Sequence, residues 1–579
     1  VDAFVIGTEM RGISTVRDGA ETYPFVAALA QLAADVKHVL GSATTVTYAA
    51  DWSEYFGHQP DDGSGDVFFH LDPLWASPDI DCVGIDLYWP LADWRDGDAH
   101  LDRELTRSIY DLAYLKSNLD GGEGYDWYYA TPADRVAQVR TPITDGTGKP
   151  WVFRYKDLAG WWSNAHYDRP GGIEKPTPTA WQAQSKPVWL MEIGCPAIDK
   201  GANQPNVFYD PKSSESVLPY FARLRRDDLM QRAYLQALIE GLDPDHPGYR
   251  LGTNPTSTVY GGPMIAPDRV HVYAWDARPQ PAFPNDADTW GDAPNWLYGH
   301  WLNARMASMP LTSVLARIFA DYGFDKADAD RLEGMLPGYL IDRVMSLREA
   351  IQPLELAYFF DTVESGDAIR MSHRGHGDPA AVVSLDELVA ERGDAALLTL
   401  VRGQETELPQ SAKLSFMLAG GDYRRSVAEA RRLAGFSDRV ATASLAMMLD
   451  AEHGERIAET WLHEAWISRQ RATFALPPSQ LVIEPGDMIE TQDGGVRLLH
   501  RVTSVADHGA RRIEALGIDP RLYEGHATPA RRLAVAAQPI VGAPDALFLD
   551  LPLLIDGGSD TDGFVAVHQA PWPGPMAVY

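Results

Sequence analysis

Lys186-Pro-Val-Trp-Leu-Met-Glu-Ile-Gly-Cys-Pro196 is a short apolar stretch that carries a glutamate near its end and then breaks at Gly194 and Pro196. The apolar run predicts a buried β-strand, Val188 to Glu192, that ends on a carboxylate. The stretch Ala3-Phe-Val-Ile-Gly-Thr-Glu-Met-Arg-Gly12 has the same form and places Glu9 after a predicted strand. Two strands that are distant in sequence therefore each end on a glutamate.

Strands and helices alternate over roughly the first 300 residues, which is typical of βα units and a parallel sheet. The predicted strands are Phe4 to Thr8, Val46 to Ala49, Cys82 to Tyr88, Val188 to Glu192 and Val270 to Trp275. The predicted helices are Tyr23 to Leu40, Leu105 to Leu119, Asp157 to His166 and Asp227 to Leu242. Five βα units cannot close an eight-stranded barrel, so we expect a partial TIM barrel, three further units before Val1, and an open sheet edge at the first strand.

The second half of the chain has the texture of an α+β protein. Its predicted helices are Leu311 to Tyr322, Leu347 to Phe360 and Glu452 to Gln470, and its predicted strands include Tyr339 to Met345, Ala368 to Ser372 and a strand-rich stretch from Thr473 to Ala515. Another module is expected to open near Leu547 to Ile555 and the following Gly-Gly-Ser-Asp loop. The predicted domains are residues 1–305, 306–535 and 536–579.

Composition excludes several classes of function. The 579 residues carry 81 acidic and 50 basic side chains, a formal charge of -31, which argues against nucleic acid or an anionic membrane surface as the main partner. Cys82 and Cys195 are the only cysteines, so a disulfide framework is excluded and both are expected to be unpaired. No apolar run approaches the ~20 residues of a membrane span.

A pair of carboxylates at neighbouring strand ends is what glycoside hydrolysis needs. One carboxyl group protonates the leaving oxygen, and the other attacks the sugar or activates water. In a parallel α/β barrel the carboxyl ends of the strands converge on one face, where Glu9 and Glu192 would meet. The alternative is that both are ordinary solvated loop carboxylates.

Other residues at the same strand ends are candidates for substrate binding. Tyr88 is positioned to hydrogen-bond the nucleophilic carboxylate, and Trp275 to stack on a sugar ring. Trp89 follows Tyr88 and joins this group, and Asp51 follows the second strand. The alternatives are core packing for the aromatic residues and a helix cap or turn for the aspartate.

No metal or cofactor site is predicted. Gly146-Thr-Gly-Lys149 lacks the hydroxyl residue and the preceding strand of a phosphate loop. His463-Glu464 lacks the second histidine of a zinc helix, and His373 and His376 are interpreted as residues of a solvated loop.

The first half resembles the glycoside-hydrolase TIM-barrel-like domain of gene transfer agent and phage tail proteins. The motifs that carry the resemblance are Trp189-Leu-Met-Glu-Ile-Gly-Cys-Pro-Ala197, Asn203-Gln-Pro-Asn-Val-Phe208, Arg226-Asp-Asp-Leu229 and Tyr273-Ala-Trp-Asp-Ala-Arg-Pro279. The more distant likeness to retaining glycosidases implies that Glu9 is the acid/base, Glu192 the nucleophile, and the five strands are barrel strands four to eight. Thr8 departs from that clan, which usually has Asn before the acid/base.

The second half resembles the tail protein domain of large baseplate hub proteins. The motifs are Gly338-Tyr-Leu-Ile-Asp342, Arg348-Glu-Ala-Ile-Gln-Pro-Leu354, Leu476-Pro-Pro-Ser479, Glu484-Pro-Gly-Asp487 and Ala515-Leu-Gly-Ile-Asp-Pro-Arg-Leu-Tyr523. The resemblance implies a fragment of a tail-tip hub that is made in the bacterial cytoplasm and incorporated into the virion or gene transfer agent particle.

The implied hub is a homotrimer that contacts tail-tube and baseplate proteins. Its barrel would bind or cleave a cell-envelope polysaccharide or peptidoglycan. Two alternatives stay open: a free retaining polysaccharide hydrolase with an accessory domain, and a purely structural hub whose barrel has no catalytic activity.

Overall fold

The structure is a computed structural model. It describes the whole chain except residues 1, 211, 281, 287, 304, 391–395, 420–423, 434, 436, 494–495, 525–542, 552–562 and 570–579, and also except the side chains of residues 294 and 493. Residues 1–531 form one compact unit and residues 532–579 form a second. The predicted stretch from residue 552 to Ile555 and the Gly-Gly-Ser-Asp loop lie outside the described residues.

A five-stranded parallel sheet is the centre of the first part of the chain. In both chain order and spatial order its strands are β1 (Ala3–Thr8), β2 (Thr45–Asp51), β3 (Val83–Leu87), β4 (Val188–Ile193) and β5 (Ile265–Val272). The predicted α/β class with a parallel sheet is confirmed. Strand β1 lies at the edge and, among the described strands, pairs only with β2, as predicted.

Helices and short helical turns connect these strands. The α-helices of this part are Arg11–Ser14, Pro24–Leu40, Asp72–Trp75, Leu112–Ser117, Pro132–Ala137, Leu158–Ser163, Asp228–Leu242 and Ala282–Asn285. The predicted helix Leu105 to Leu119 is wrong in its first half. There the chain forms a loop, and the Asp111 side chain caps the shorter helix by accepting hydrogen bonds from the backbone N–H groups of Ala113 and Tyr114.

The core of this part packs large aromatic side chains between the sheet and the helices. Helix Pro24–Leu40 buries Val26, Leu29 and Ala33, which share one face because of the 3.6-residue period. Trp75 and Trp161 are fully buried. Many of the aromatic side chains in this part of the chain therefore fill the core.

The second part is rich in antiparallel strands. Its α-helices are Leu311–Asp321, Leu347–Tyr358 and Ala451–Ile467. Its longer strands are Phe360–Ser365, Ala368–His373, Ala381–Ser384, Leu398–Arg402, Ser411–Leu418, Arg425–Arg431, Val440–Leu449, Gln470–Leu476, Met488–Asp493, Val496–Asp507 and Arg511–Gly517. The predicted strand Tyr339 to Met345 is wrong for most of its length. Only Gly338–Tyr339 pairs, against Met447 and Met448, before the chain turns toward the helix cap at Ser346.

Each half of the second part has its own core. One core lies under helices Leu311–Asp321 and Leu347–Tyr358, and another lies within the six-stranded sheet that contains Gln470–Leu476. Trp466 packs with Leu462 and Ala412 in a smaller cluster under the long helix. The unit of residues 532–579 contains an antiparallel pair, Asp545–Leu549 and Phe564–His568.

Candidate functional site

The register of the parallel sheet places acidic residues side by side at its carboxyl end. Asp51 in β2 is the Cα partner of Asp86 in β3, and Asp86 is in turn the partner of Glu192 in β4. Glu9 directly follows β1, and its backbone N–H donates to the Ala49 oxygen at 2.9 Å. Four neighbouring strands thus bring four carboxyl groups, called here the acidic row, to one edge of the sheet.

Glu9 occupies a backbone conformation that is unusual for its residue type. Its φ angle is 50°, in the left-handed region. The next backbone N–H, of Met10, donates to the Tyr48 hydroxyl at 2.8 Å, which fixes the turn from the other side. Such conformations cost on the order of 1 to 3 kcal/mol and cluster at functional sites. The rest of the fold therefore stabilises Glu9 in a backbone conformation that is itself unfavourable.

The acidic row favours the protonated form of Glu9. Partial removal from water, followed by the negative charges of Asp51, Glu192 and Glu54, raises the pKa of Glu9 to about 7. Because the charge of Glu192 acts on Glu9, the structure brings the two predicted catalytic residues into one electrostatic environment. A carboxylic acid with this pKa keeps much of its proton at neutral pH and can donate it to a leaving group.

Glu192 accepts a hydrogen bond from a buried tyrosine. The Tyr88 hydroxyl donates to Glu192 Oε2 at 2.6 Å, and Tyr88 itself is only 7% exposed. Burial and the adjacent carboxylate raise the pKa of Tyr88 far above its ordinary value, so the phenol stays protonated as a donor. This hydrogen bond fixes the orientation of the Glu192 carboxyl group.

Asp86 is a member of the acidic row that sequence reasoning missed. It is fully buried, and its Oδ2 accepts the Thr8 hydroxyl at 2.8 Å, while Oδ1 has no hydrogen-bond partner among the described residues. Burial, followed by the charges of Glu192, Glu9 and Asp51, raises the pKa of Asp86 to about 8. An aspartate inside the apolar run Val83-Gly-Ile-Asp-Leu87 was a usable signal in the sequence.

Glu54 is a buried carboxyl group whose charge acts on Glu9, and sequence reasoning also missed it. It is 1% exposed and accepts hydrogen bonds from the Ser14 hydroxyl and, at 3.1 Å, from the Tyr48 hydroxyl. Burial raises the pKa of Glu54, although these hydrogen bonds oppose the shift. Since Tyr48 also holds Met10, Glu54 supports the turn that carries Glu9. No sequence motif distinguishes Glu54 from other glutamates after a strand.

Strand β5 ends earlier than the sequence predicted, so Tyr273 and not Trp275 directly follows its last residue. Partial burial and then the charges of Glu192 and Glu9 raise the pKa of Tyr273, so its phenol lies within the electrostatic influence of both glutamates. Trp275 lies two residues further along and is 64% exposed. Its ring is therefore open to solvent, as a sugar-stacking surface requires, and its contact with a ligand stays a prediction.

The remaining two predicted residues have clear structural surroundings. Asp51 Oδ1 accepts the backbone N–H of Ser53 at 2.7 Å, which makes it a turn residue as well as a source of charge on Glu9. Trp89 is 2% exposed and packs in the core, and its backbone oxygen accepts the Tyr234 hydroxyl at 2.9 Å. An enclosed ring cannot stack on a sugar, so the structure contradicts the predicted ligand contact for Trp89.

Other polar and cysteine residues that stand out in the sequence have ordinary structural surroundings. Within the described part of the chain, no group of three or more potential ligands is arranged to hold a metal ion. His373 was assigned to a solvated loop, but it lies in a strand, and its Nε2 accepts the Glu333 backbone N–H at 2.8 Å. Cys82 and Cys195 are buried and free, as predicted. None of the described helices is long and apolar enough to cross a membrane.

Two family models match the chain in the order that the sequence predicted. The model described as a GTA TIM-barrel-like domain matches residues 1–284, and the model described as a putative phage tail protein matches residues 346–505. No curated protein matches the chain.

Solved structures of tail proteins are among the matches. A chain of the virion of a native gene transfer agent (GTA) particle is 29% identical with a TM-score of 0.39, and the match covers 40% of this chain and 53% of that one. This chain thus spans about half the length of that relative. A tail protein from Neisseria meningitidis MC58 is 9% identical with a TM-score of 0.29, and the match covers 37% of this chain and 69% of the Neisseria chain. A prophage MuSo2 tail protein from Shewanella oneidensis is 12% identical, covering 38% and 69%, with a TM-score of 0.27.

Proposed function

We propose that this phage or gene transfer agent tail protein, which carries a GTA TIM-barrel-like domain followed by a phage tail protein domain, cleaves a cell-envelope glycan at the acidic row. One observation carries the proposal. Burial and the neighbouring carboxyl groups raise the pKa of Glu9 to about 7, whereas Glu192 accepts a 2.6 Å hydrogen bond from the Tyr88 hydroxyl in the same environment. This division between a proton donor and an ionised carboxylate is the one that glycoside hydrolysis uses.

The proposed reaction retains the anomeric configuration. Glu192 attacks the anomeric carbon while Glu9 gives its proton to the departing glycosidic oxygen, so the glycosidic bond breaks as an ester bond to Glu192 forms. Water then attacks the same carbon and releases Glu192. Glu9, now ionised, takes the proton of that water and returns to its starting state. The exposed ring of Trp275 would line the sugar subsite.

The second part of the chain would serve assembly. We assign residues 1–305 to the barrel-like domain, 306–535 to the hub-like domain and 536–579 to a further module. The hub-like domain would form a homotrimer at the tail tip and contact tail-tube and baseplate proteins in the particle. The family match of residues 346–505 to a putative phage tail protein supports this assignment.

A hub with an inactive barrel is the second candidate, and one observation favours it. Thr8 stands where retaining glycosidases of the large barrel clan usually have an asparagine, and its hydroxyl is already bound to Asp86. The position that normally contacts the sugar 2-hydroxyl is therefore engaged within the protein. A barrel of this kind would bind a glycan without cleaving it.

Digestion of purified envelope glycans tests the two candidates. The full chain is incubated with peptidoglycan and with surface polysaccharide, and released sugars are measured by chromatography. Glu192→Gln removes the nucleophile without changing the volume and should abolish release, whereas Glu104→Gln, at an exposed glutamate, should match the unaltered chain. Equal release from the unaltered chain and Glu192→Gln would refute the catalytic assignment. Binding without release would favour the inactive barrel.

A further inference from the structure

Asp86 lies at the centre of the acidic row. The strand register pairs it with Asp51 on one side and with Glu192 on the other. Within the part of the chain that the structure describes, its carboxyl group has one hydrogen-bond partner, the Thr8 hydroxyl, which donates to Oδ2 from β1, on the far side of β2. Thr8 is the residue immediately before Glu9 and is the last residue of β1. Asp86 therefore contacts the segment that carries the proposed proton donor.

The surroundings of Asp86 disfavour a negative charge. The side chain is fully buried, and Oδ1 has no partner among the described residues. The strongest charge effects on Asp86 among the described residues come from the carboxyl groups of Glu192, Glu9 and Asp51, all of which are acidic. An ionised carboxylate that is buried without a cation and with an unsatisfied oxygen is strongly destabilising, whereas the neutral acid is tolerated.

We propose that Asp86 is a positioning residue, which acts as an uncharged acid to anchor Thr8 and so hold Glu9 in the turn beside Glu192. The inference rests on the proposed function for its catalytic consequence but not for its structural part. The raised pKa of Asp86 agrees with this protonation state. The anchor explains how a glutamate with a left-handed φ of 50° can have a defined place at the end of an edge strand.

The Thr8 hydroxyl is the link that makes this role specific. Strand β1 pairs with β2 through Thr8 and Ala49, but the register shifts between Val5 and Thr8, so the regular ladder is interrupted just before the strand ends. The hydrogen bond to Asp86 reaches past β2 to β3 and closes this gap. Two further bonds hold the chain just after β1, from the Glu9 backbone N–H to the Ala49 oxygen and from the Met10 backbone N–H to the Tyr48 hydroxyl.

The test combines one measurement that needs no activity with one that does. Infrared difference spectra of the full chain against Asp86→Asn at pH 7 should show the loss of one protonated carboxyl group. Glu9→Gln measured in the same way separates the contribution of Glu9. A difference spectrum that shows the loss of a carboxylate and no protonated carboxyl would overturn the proposal, whether or not the chain cleaves glycans.

The second measurement follows glycan release as a function of pH. Asp86→Asn keeps an uncharged acceptor for the Thr8 hydroxyl, so its rate of glycan release should stay within about threefold of that of the unaltered chain. The alkaline limb of its pH profile should still lie near the pKa of Glu9, about 7. Asp86→Ala and Thr8→Val remove the hydrogen bond between these residues and should each lower kcat at least tenfold with little change in KM. Thr8→Ser keeps the hydroxyl and should therefore keep most of the kcat of the unaltered chain. Circular dichroism confirms folding of each variant.

Outcomes of the two measurements separate this proposal from the proposed function. If the unaltered chain releases no glycan, crystal structures of Thr8→Val and Thr8→Ser take the place of kinetics. Glu9 should leave its left-handed turn in Thr8→Val and keep it in Thr8→Ser. An unchanged Glu9 in Thr8→Val, or full activity of Asp86→Ala, would show that Asp86 does not position Glu9.

Discussion

Replacing Trp466 with alanine should strongly destabilise the second part of the chain. Trp466 lies on the long helix Ala451–Ile467, is 6% exposed, and packs with Leu462 and Ala412. Its ring nitrogen donates to the Pro409 oxygen at 2.7 Å, and the Arg432 guanidinium lies 3.9 Å from the ring centroid. The substitution removes all of these contacts together and leaves the side chain of Arg432 over an empty space.

The magnitude follows from these contacts. Loss of a buried tryptophan to alanine costs about 3 to 5 kcal/mol through lost burial and the remaining cavity. The lost hydrogen bond to Pro409 adds about 1 kcal/mol, and partial collapse of the site reduces the sum. We therefore expect a loss of roughly 3 to 6 kcal/mol in the free energy of local unfolding. Trp466→Phe keeps a ring but loses the donor, so it should lose roughly 1 to 3 kcal/mol.

Hydrogen exchange measured by mass spectrometry is the appropriate assay, because a chain with several cores need not unfold in one transition. Peptides from helix Ala451–Ile467 and strand Ser411–Leu418 should lose protection in Trp466→Ala. Leu433→Ala, at a side chain that is 99% exposed, is the matched control and should change protection by less than about 0.5 kcal/mol. A change below about 1 kcal/mol in Trp466→Ala would refute the assignment of Trp466 to the core.

Three further predictions concern the sheet and the acidic row. Gly84→Ala should lower the melting temperature, because the added Cβ would lie 2.4 Å from the Tyr48 backbone oxygen and 3.0 Å from Met191 Cγ. The control Gly146→Ala, whose Cβ would meet no atom within 4 Å, should leave the melting temperature unchanged. Equal melting temperatures for the two variants would contradict the close packing of β3. Tyr88→Phe should lower kcat/KM by about 10- to 100-fold, since a hydrogen bond to a charged group contributes about 1.5 to 3 kcal/mol. Unchanged kinetics would show that this hydrogen bond does not contribute to catalysis. Glycan release should fall as pH rises through about 7, because Glu9 must carry its proton to act as an acid, and a profile that stays flat to pH 9 would exclude Glu9 as the donor.

The strands of the sheet and their terminal carboxylates were predictable from local patterns. The first four strands are mainly apolar, and a run that ends on a charged residue and a turn marks its own carboxyl end, as at Glu9 and Glu192. The exception is β5, Ile265–Val272, which contains Pro267, Asp268 and Arg269, and the predicted bounds Val270 to Trp275 were wrong at both ends. The parallel order then follows from the helices between the strands. These signals depend only on neighbouring residues, so they survive without knowledge of the tertiary structure.

The parts that the sequence did not predict depend on contacts between distant segments. The register that sets Asp86 between Asp51 and Glu192 depends on the pairing of β3 with β4, which are separated by the 100 residues 88–187. Trp89 is enclosed in a core that also contains Tyr234 of helix Asp228–Leu242, which no local pattern around Trp89 reveals. The predicted helix Leu105 to Leu119 failed because a capping aspartate inside the apolar pattern starts the helix later.

Covalent trapping of Glu192 tests the central claim most directly. In Glu9→Gln the acid/base group is absent, so an activated glycosyl fluoride, which needs no proton for departure, should glycosylate Glu192 faster than water can release it. Peptide mass spectrometry after incubation with a panel of such fluorides, including N-acetylglucosaminyl fluoride, should find the added sugar on the peptide that contains Glu192. Modification of another carboxylate, or no modification while the unaltered chain releases glycan, would contradict the account.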